Sequence, residues 1–496
     1  MEEYNEQQLV RISKIDFLKE KGIEPFGNKF VVSHFSDELF TKYDKFSKEK
    51  LEEMNISTSI AGRIMTKRGQ GKVVFAHIKD KTGKIQIYVR KDTIGEESFE
   101  IVDKGDLGDI IGVEGTVFKT NHGELSIKVS AYTHLVKSLS PLPEKFHGLT
   151  DIEERYRNRH VDLIMNDHVL KTAFTRSKII RFVQNYLDNK GYTEVETPVL
   201  GHILGGASAK PFITHFNALH NDMYLRIATE LPLKKLLVGG MDAVYEIGRL
   251  FRNEGVDRTH NPEFTTIELY KAFANIDDMM ELATDLISTL VINIRGESVI
   301  SWKGESINFN KENFKSIHMC DLIKEETGVD FFNKYTKDEV LELVKKFDVE
   351  IEDHYEFGHI VNAFFEKFVE DKLIQPTFVY GHPIEISPLA RKNPLDERFT
   401  ERFELFIGGD EYANAFTELN DPLDQKERFI DQMKQKDLGN DEANEFDYTF
   451  IDALMYGMPP AGGMGIGIDR LVMLLTNNES IREVILFPHL KTIEKR

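Results

Sequence analysis

Residues 248–270, GRLFRNEGVDRTHNPEFTTIELY, admit few structures. The second half alternates strictly: Phe264, Thr266, Glu268 and Tyr270 share one parity, and Thr265, Ile267 and Leu269 the other. Such alternation marks a strand with one face on a core. Ile267 and Leu269 then point inward, and Phe264, Glu268 and Tyr270 look into a cleft. The first half reads as a partner strand, with Arg252 and Glu254 of one parity and Phe251 of the other. A hairpin with a charged loop would present a guanidinium, carboxylates and an aromatic plate to one ligand, and each suits a part of ATP. Arg252 offers a two-pronged fork to a phosphate, Phe264 can lie against a purine, Glu254 can accept from an exocyclic amine, and Arg258 and His260 can reach the terminal phosphates. An exposed hairpin laced with surface ion pairs would use the same residues.

The chain of 496 residues is long enough for two or three domains. Its single cysteine, Cys320, excludes an intrachain disulfide and any paired-cysteine metal site, which fits a cytoplasmic protein. The first residues, MEEYNEQQLVRISK, are polar and unlike a signal peptide. No apolar run approaches the roughly 20 residues that span a bilayer, so no membrane partner is expected. A net charge of −20 argues against polyanion binding only if the charge is evenly spread. Residues 61–91 hold nine Lys and Arg, among them Arg63, Lys67 and Arg90, against Asp80 alone. Local fields steer a polyanion, so this segment is a candidate nucleic-acid surface.

Periodicity divides the chain. Residues 1–56 read as a helical extension, with Leu9, Ile12, Ile15 and Leu18 on one side, basic residues on the outer face and Gly22 as a stop. Residues 57–140 carry five period-two runs separated by tight turns at 81–84 and 121–123, which suggests an OB-fold barrel. Such barrels stack bases on aromatics, and Phe75 is a candidate that could equally be core. Pro141 and Pro143 open a linker over 141–166 that faces either a nucleic acid or its own domain. Residues 167–496 form the largest domain. It begins with a helix over 167–190, Gly191, a strand over 192–197 and Pro198. A strand is expected over 224–228, with Glu230 at the strand-to-helix turn that follows. A helical insertion around 330–375, with Thr336 as a cap, reads as structural.

Further candidates lie around the small-residue loop 205–212, the strand 403–406, the segment DEYANAFTELND at 410–421 and the glycine run 461–470. Extended, the segment puts Tyr412, Asn414, Phe416 and Glu418 on one face. Glu404 and Glu411 are spaced to pair across a turn at Gly408-Gly409. Near a triphosphate they are candidate Mg²⁺ ligands, because Mg²⁺ takes a few carboxylates plus phosphate oxygens; as isolated acids they would be surface charges. The glycine run lacks the acid and the βαβ setting of a dinucleotide site.

Phe251-Arg252-Asn253-Glu254, His260 and Glu263-Phe264 resemble motif 2 of the class II aminoacyl-tRNA synthetases. The helix-Gly191-strand-Pro198 run resembles motif 1, their dimer interface, and the run from Ala461 to Arg470 resembles motif 3. Residues 61–89 resemble the anticodon barrel of the lysyl, aspartyl and asparaginyl enzymes. With GGASAKPF, RIATELPLK and ELNDP the chain resembles the class II lysyl-tRNA synthetases over nearly its whole length. Thr229 stands where many bacterial members have proline, and Tyr412–Phe416 departs from their usual glycine-flanked asparagine. The resemblance implies an α+β fold: an N-terminal OB-fold β-barrel plus a class II catalytic domain with an antiparallel sheet flanked by helices. It implies a homodimer, with lysine, ATP, tRNA(Lys) and Mg²⁺ as partners. By the same likeness Gly206 and Glu230 hold the α-amino group, and Arg252 the carboxylate and α-phosphate. Glu268, Tyr270 and Glu418 hold the ε-amine, and Asn414 and Phe416 shape the pocket. ATP falls to Arg252, Glu254, His260, Asn261, Phe264, Glu404, Glu411 and Arg470, with Arg470 opposite Phe264 across the adenine and Glu404 and Glu411 on the metal. Phe75, Gln86 and Glu124 read the anticodon. Catalysis is then positioning plus charge stabilisation by Arg252 and Arg470, without a protein nucleophile.

The residues themselves support the amino acid: a cleft offering Glu230, Glu268 and Glu418 suits a cationic side chain and repels an aspartate. A stand-alone ligase that lysylates a protein would not need the barrel, and a non-catalytic relative could lose Glu404, Glu411 or Arg470, all of which are present.

Overall fold

The computed structural model describes residues 4–27, 29–143, 151–203, 205–207, 209–352, 354–440 and 445–491; residues 144–150 of the expected linker and Ser208 of the small-residue loop lie outside them. The chain divides into two units, Met1–Thr150 and Asp151–Arg496.

In the first unit, strands β1 (Ser57–Gln70), β2 (Val73–Lys79), β3 (Lys84–Arg90), β4 (Ile110–Lys119) and β5 (Leu125–Val136) close a barrel in the order β1-β2-β3-β5-β4. Neighbours are antiparallel except β3 and β5. Val74, Ala76 and Ile78 point into a core with Ile60, Ile87, Ile111 and Ile127, which leaves Phe75 and His77 outside. This is the expected OB-fold.

Two of the nine basic residues of 61–91 serve the fold. Arg63 donates to the Gly108 carbonyl, and Lys67 gathers the Val102, Asp103 and Gly105 carbonyls at the C-terminal end of the helix Glu96–Lys104. A cation there offsets the helix dipole, and burial lowers the pKa of both side chains. The helix Glu6–Glu20 likewise turns basic residues inward rather than outward. Arg11 donates to the Leu107 and Ser138 carbonyls, and Lys14 pairs with Asp106 at 2.6 Å.

The second unit holds β6 (Thr193–Glu194), β7 (Leu200–Gly201), β8 (Ile213–Phe216), β9 (Asn221–Leu225), β10 (Ala243–Phe251), β11 (Glu263–Ala272), β12 (Val299–Trp302), β13 (Glu305–Asn308), β14 (Lys315–His318), β15 (Thr377–Tyr380), β16 (Arg402–Ile407), β17 (Asp410–Thr417) and β18 (Ala461–Gly467). Eight of them form one sheet, β14-β15-β16-β17-β18-β11-β10-β6. The six central strands are antiparallel, and β14 and β6 join the edges in parallel, so the sheet is mixed rather than wholly antiparallel. Its inner face packs Ile267, Leu269, Met464 and Ile466 on Ile179, Val183 and Leu187 of the helix Asp167–Asn189, on Leu286 and Leu290 of the helix Ile276–Arg295, and on Leu471 and Leu474 of the helix Ile468–Thr476. Burying those aliphatic faces is the main driving force for this layer, and it leaves the other parity of β11 to the cleft.

Three expectations change. The strand expected at 192–197 is only the two residues of β6, although the Val195 amide still donates to the Tyr245 carbonyl. The strand expected at 224–228 ends at Leu225, and the helix Glu230–Val238 starts directly at the expected acid. Glu404 and Glu411 do not face each other: Glu404 is opposite Asn414 and Glu411 opposite Phe406, because the register shifts between Leu405 and Phe406. That bulge packs Tyr412 in the core with Ala413 and Ala415, while the residue still borders the cleft beside Asn414. The insertion has its own core around Phe331 and Phe364. Its helices are Lys337–Phe347, capped by Thr336 as expected, and Phe357–Phe368.

Candidate active site

The outer face of the sheet and the loops above it enclose a cleft of about 880 Å³. Gly206, Glu230, Arg252, Glu254, His260, Asn261, Phe264, Glu268, Tyr270, Glu404, Glu411, Asn414, Phe416 and Arg470 all line it. Of the expected amino-acid and nucleotide contacts Glu418 and Arg258 stand back from the wall. Arg258 pairs with Glu479 at 3.4 Å and is absent from the lining.

At the closed end, β11 places Glu268 and Tyr270 side by side, with the Tyr270 hydroxyl 3.3 Å from Glu268 Oε2 and the Thr229 amide donating to Oε1. Burial, reinforced by the Glu230 charge, pushes Glu268 up to about 7. Glu418 lies behind Gly463. A Cβ at Gly463 would overlap Glu418 Oε1 and the Tyr270 ring, so a bare backbone is required there and leaves the carboxylate approachable. Glu418 Oε1 is buried and accepts no hydrogen bond among the described residues.

The residue that the sequence reading missed is Lys234. It lies one helical turn after Glu230 and is fully buried, with Nζ on Glu230 Oε1 at 2.5 Å and on Glu418 Oε2. Burial opposes the ammonium, but the two carboxylates outweigh it and raise its pKa. The i,i+4 spacing was visible; that Glu418 closes the triad was not.

At the open end Arg252 follows β10, its amide donating to the Pro262 carbonyl. Its guanidinium lies over the Phe264 ring and its Nε is buried without a hydrogen-bond partner among the described residues. Arg470, in the helix Ile468–Thr476, donates to the Glu411 carbonyl and sits 3.6 Å from its carboxylate. Beside it Asp469 accepts from the Thr265 amide at 2.6 Å and from Arg176 at 2.5 Å, which pins that helix to β11. His260 pairs with Asp257 at 2.7 Å, and the Asn261 side chain bridges the Glu263 carbonyl and the His489 amide.

A second missed residue, Arg402, organises the acidic corner. It donates to Asn414 Oδ1, Glu404 Oε1, the Ile386 carbonyl and Ser387 Oγ. Glu404 and Glu411 share this corner with Glu366 and Glu370 of the insertion, and Glu370 is pushed up to about 7 by burial and by those three carboxylates. The insertion is therefore more than structural: His354, Tyr355 and His359 also line the cleft. Among the described residues no three His, Cys, Asp or Glu are placed to hold a metal by themselves. A surplus of carboxylate in the cleft suits a hard cation that completes its shell with phosphate and water.

On the barrel, Phe75 stacks obliquely on Tyr88, centroids 4.8 Å apart, and Tyr88 on Phe118 at 5.8 Å. Gln86 is only 3% exposed. It donates to Glu124 Oε2 at 2.7 Å and accepts from Ser126, while His77 Nε2, unnoticed in the sequence, holds Glu124 Oε1 at 2.7 Å.

A family model described as tRNA synthetases class II (D, K and N) matches residues 151–491, and one described as an OB-fold nucleic acid binding domain matches 58–135. The chain is 58% identical to the lysine–tRNA ligases of Bacillus cereus strain AH187 and Bacillus anthracis over 490 residues, 99% of this chain and 98% of each relative. It is also 58% identical to that of Streptococcus pneumoniae strain CGSP14 over 492 residues, 99% of both chains. Motif geometry, barrel and full-length similarity agree, and the chain belongs to the class II tRNA synthetases, within the lysyl-tRNA synthetase family.

Proposed function

We propose that the protein charges tRNA(Lys) with L-lysine in two ATP-dependent steps. The observation that carries this reading is one cleft in which acids at the closed end meet Arg252, Phe264 and Arg470 at the open end. The α-ammonium of lysine is held by Glu230 and the backbone at Gly206, and its ε-ammonium by Glu268, Tyr270 and Glu418, with Asn414 and Phe416 shaping the stem. Arg252 holds the carboxylate against the α-phosphate, and Glu254, His260, Asn261, Phe264 and Arg470 bind the rest of ATP.

The lysine carboxylate attacks the α-phosphorus in line, pyrophosphate leaves and lysyl-adenylate remains. A terminal ribose hydroxyl of tRNA then attacks the acyl carbon and AMP leaves. Neither step needs a protein nucleophile: reacting atoms are aligned, and charge developing on phosphate is met by Arg252 and Arg470. Glu404 and Glu411 would hold Mg²⁺, which when bound supplies neutralisation of phosphate oxygens. On the barrel, Phe75 stacks on an anticodon base and Glu124, steadied by His77, takes part in base recognition with Gln86.

A homodimer is supported by apolar side chains left exposed around the small sheet β7-β9-β8, namely Val199, Leu200, Ile213, Phe216 and Leu219. No helix among the described residues is long and apolar enough to cross a membrane, and the substrates argue for the cytoplasm. The test is ATP–pyrophosphate exchange with each of the twenty amino acids. Lysine alone should support it; exchange driven by aspartate or asparagine, or none, overturns the assignment.

A further inference from the structure

Lys234 is 0% exposed, a rare place for an ammonium. Its Nζ bridges Glu230 Oε1 and Glu418 Oε2 and lies over the Phe416 ring at 5.2 Å, while its neighbour Lys235 points away to Thr449. A buried ion pair is weak support for a fold, because an apolar pair of the same size often serves as well. The arrangement asks for another account.

Charge counting supplies one. Three carboxylates, Glu230, Glu268 and Glu418, meet around one end of the cleft. Glu268 is hydrogen-bonded by the Thr229 amide and Tyr270, neither of them a cation. Arg402 acts on Glu230 only at longer range and is itself paired with Glu404 at 2.5 Å. Among the described residues Lys234 is thus the cation that Glu230 and Glu418 share directly.

We propose that Lys234 sets the charge of the amino-acid pocket: it cancels one of the three carboxylates and leaves two, one for each ammonium of the substrate. The inference rests on the lysine-activating reading above. With Arg252 matched to the substrate carboxylate, a diammonium ligand leaves no unpaired charge. An amino acid with a single ammonium leaves one buried carboxylate unanswered, which opposes its binding. Lys234 is then a positioning residue that contributes to selectivity, holding Glu230 and Glu418 together and opposing their protonation without touching the reacting atoms.

The test is Lys234→Met, which keeps length and removes charge, in the full-length protein. Pyrophosphate exchange is followed from pH 6 to 9, with lysine and ATP varied separately. The KM for lysine should rise at least ~30-fold at pH 7 and that for ATP less than ~3-fold. The pH dependence of lysine use should move up by at least about one unit, because Glu230 and Glu418 now take up protons. A lysine KM within ~3-fold of the parent with the pH profile in place overturns the proposal. So does a parallel rise in both KM values with a lowered Tm, the mark of a packing role. If Lys234→Met does not fold, the double variant Lys234→Met, Glu418→Gln is read instead. Recovery of a cooperative melt supports charge matching, and failure to recover it overturns the proposal. Glu268→Gln runs alongside. If it too leaves the lysine KM unchanged, the pocket itself is misread; if it raises that KM and Lys234→Met does not, only the charge-setting role falls.

Discussion

The Arg252 guanidinium carbon lies 5.3 Å from the centroid of the Phe264 ring, so cation and aromatic plate form one continuous surface at the open end of the cleft. Arg252→Ala should lower lysine-dependent pyrophosphate exchange by ~10²–10³-fold, the usual cost of removing a donor aimed at developing charge. Arg252→Lys restores the charge without the planar fork and should recover less than about a tenth of the rate. Exchange near the parent level in Arg252→Ala would mean that the hairpin does not hold the triphosphate.

Glu268 gives the pocket a pH dependence with a definite sign. Its folded pKa of about 7 lies above the ordinary carboxylate value. Below pH 7 it is protonated and neutral; above, it is ionised and able to pair with an ammonium. Lysine binding should therefore tighten as pH rises, the KM falling about tenfold between pH 6 and 8 as the ionised fraction goes from about 0.1 to 0.9. Without ligand the sign reverses for stability. The folded state holds the extra proton, so this contribution is full below the unfolded pKa and is lost as pH climbs through 7. Lysine titrations and thermal melts across that range check both statements, and a flat KM in the parent would refute them.

Gly463→Ala should cost ~1–3 kcal/mol of lysine affinity, because the added methyl has to displace Glu418 or the Tyr270 ring in a packed wall. The KM for ATP should change little. Calorimetric lysine titration separates the two effects, and an unchanged lysine affinity would show that this wall is slack.

Phe75→Ala should raise the KM for tRNA by ~5–150-fold, the equivalent of one lost base stack at ~1–3 kcal/mol, and leave pyrophosphate exchange at the parent rate. Tyr88 loses one of its two ring neighbours in this variant, so melting of the barrel is measured in parallel. Equal loss of charging and exchange would assign Phe75 to the core instead.

Chelation of divalent cations should stop exchange, and added Mg²⁺ should restore it. Glu411→Gln should raise the Mg²⁺ concentration needed for half-maximal rate by about tenfold or more. An unshifted Mg²⁺ requirement would remove Glu411 from the proposed metal set.

What could be read in advance followed from local periodicity. Ile267 and Leu269 alternate with Glu268 and Tyr270, and two-residue repetition in a half-buried strand fixes which face each side chain takes. Val74, Ala76 and Ile78 did the same for the barrel, and Thr336 followed from capping chemistry. What escaped depends on neighbours far apart in the chain. Nothing local marks Lys234, because Glu418, which lies against it, comes 184 positions later. Tyr412 was assigned by strict alternation, which fails wherever a bulge inserts one residue between paired strands. The helical insertion carries a normal apolar stripe, and nothing local reveals that His354 and His359 border the cleft. The cations of 61–91 advertise a polyanion surface as a group, yet Arg63 and Lys67 are consumed by backbone carbonyls.

Asp469 joins two walls of the cleft. By clasping the Thr265 amide and Arg176 it fuses the β11 wall to the glycine-run helix. A platform bolted in this way resists widening to admit a larger guest. Glu268 and Tyr270, which face the amino acid, sit on that same wall, so a change of clientele would have to be cut into the chassis itself.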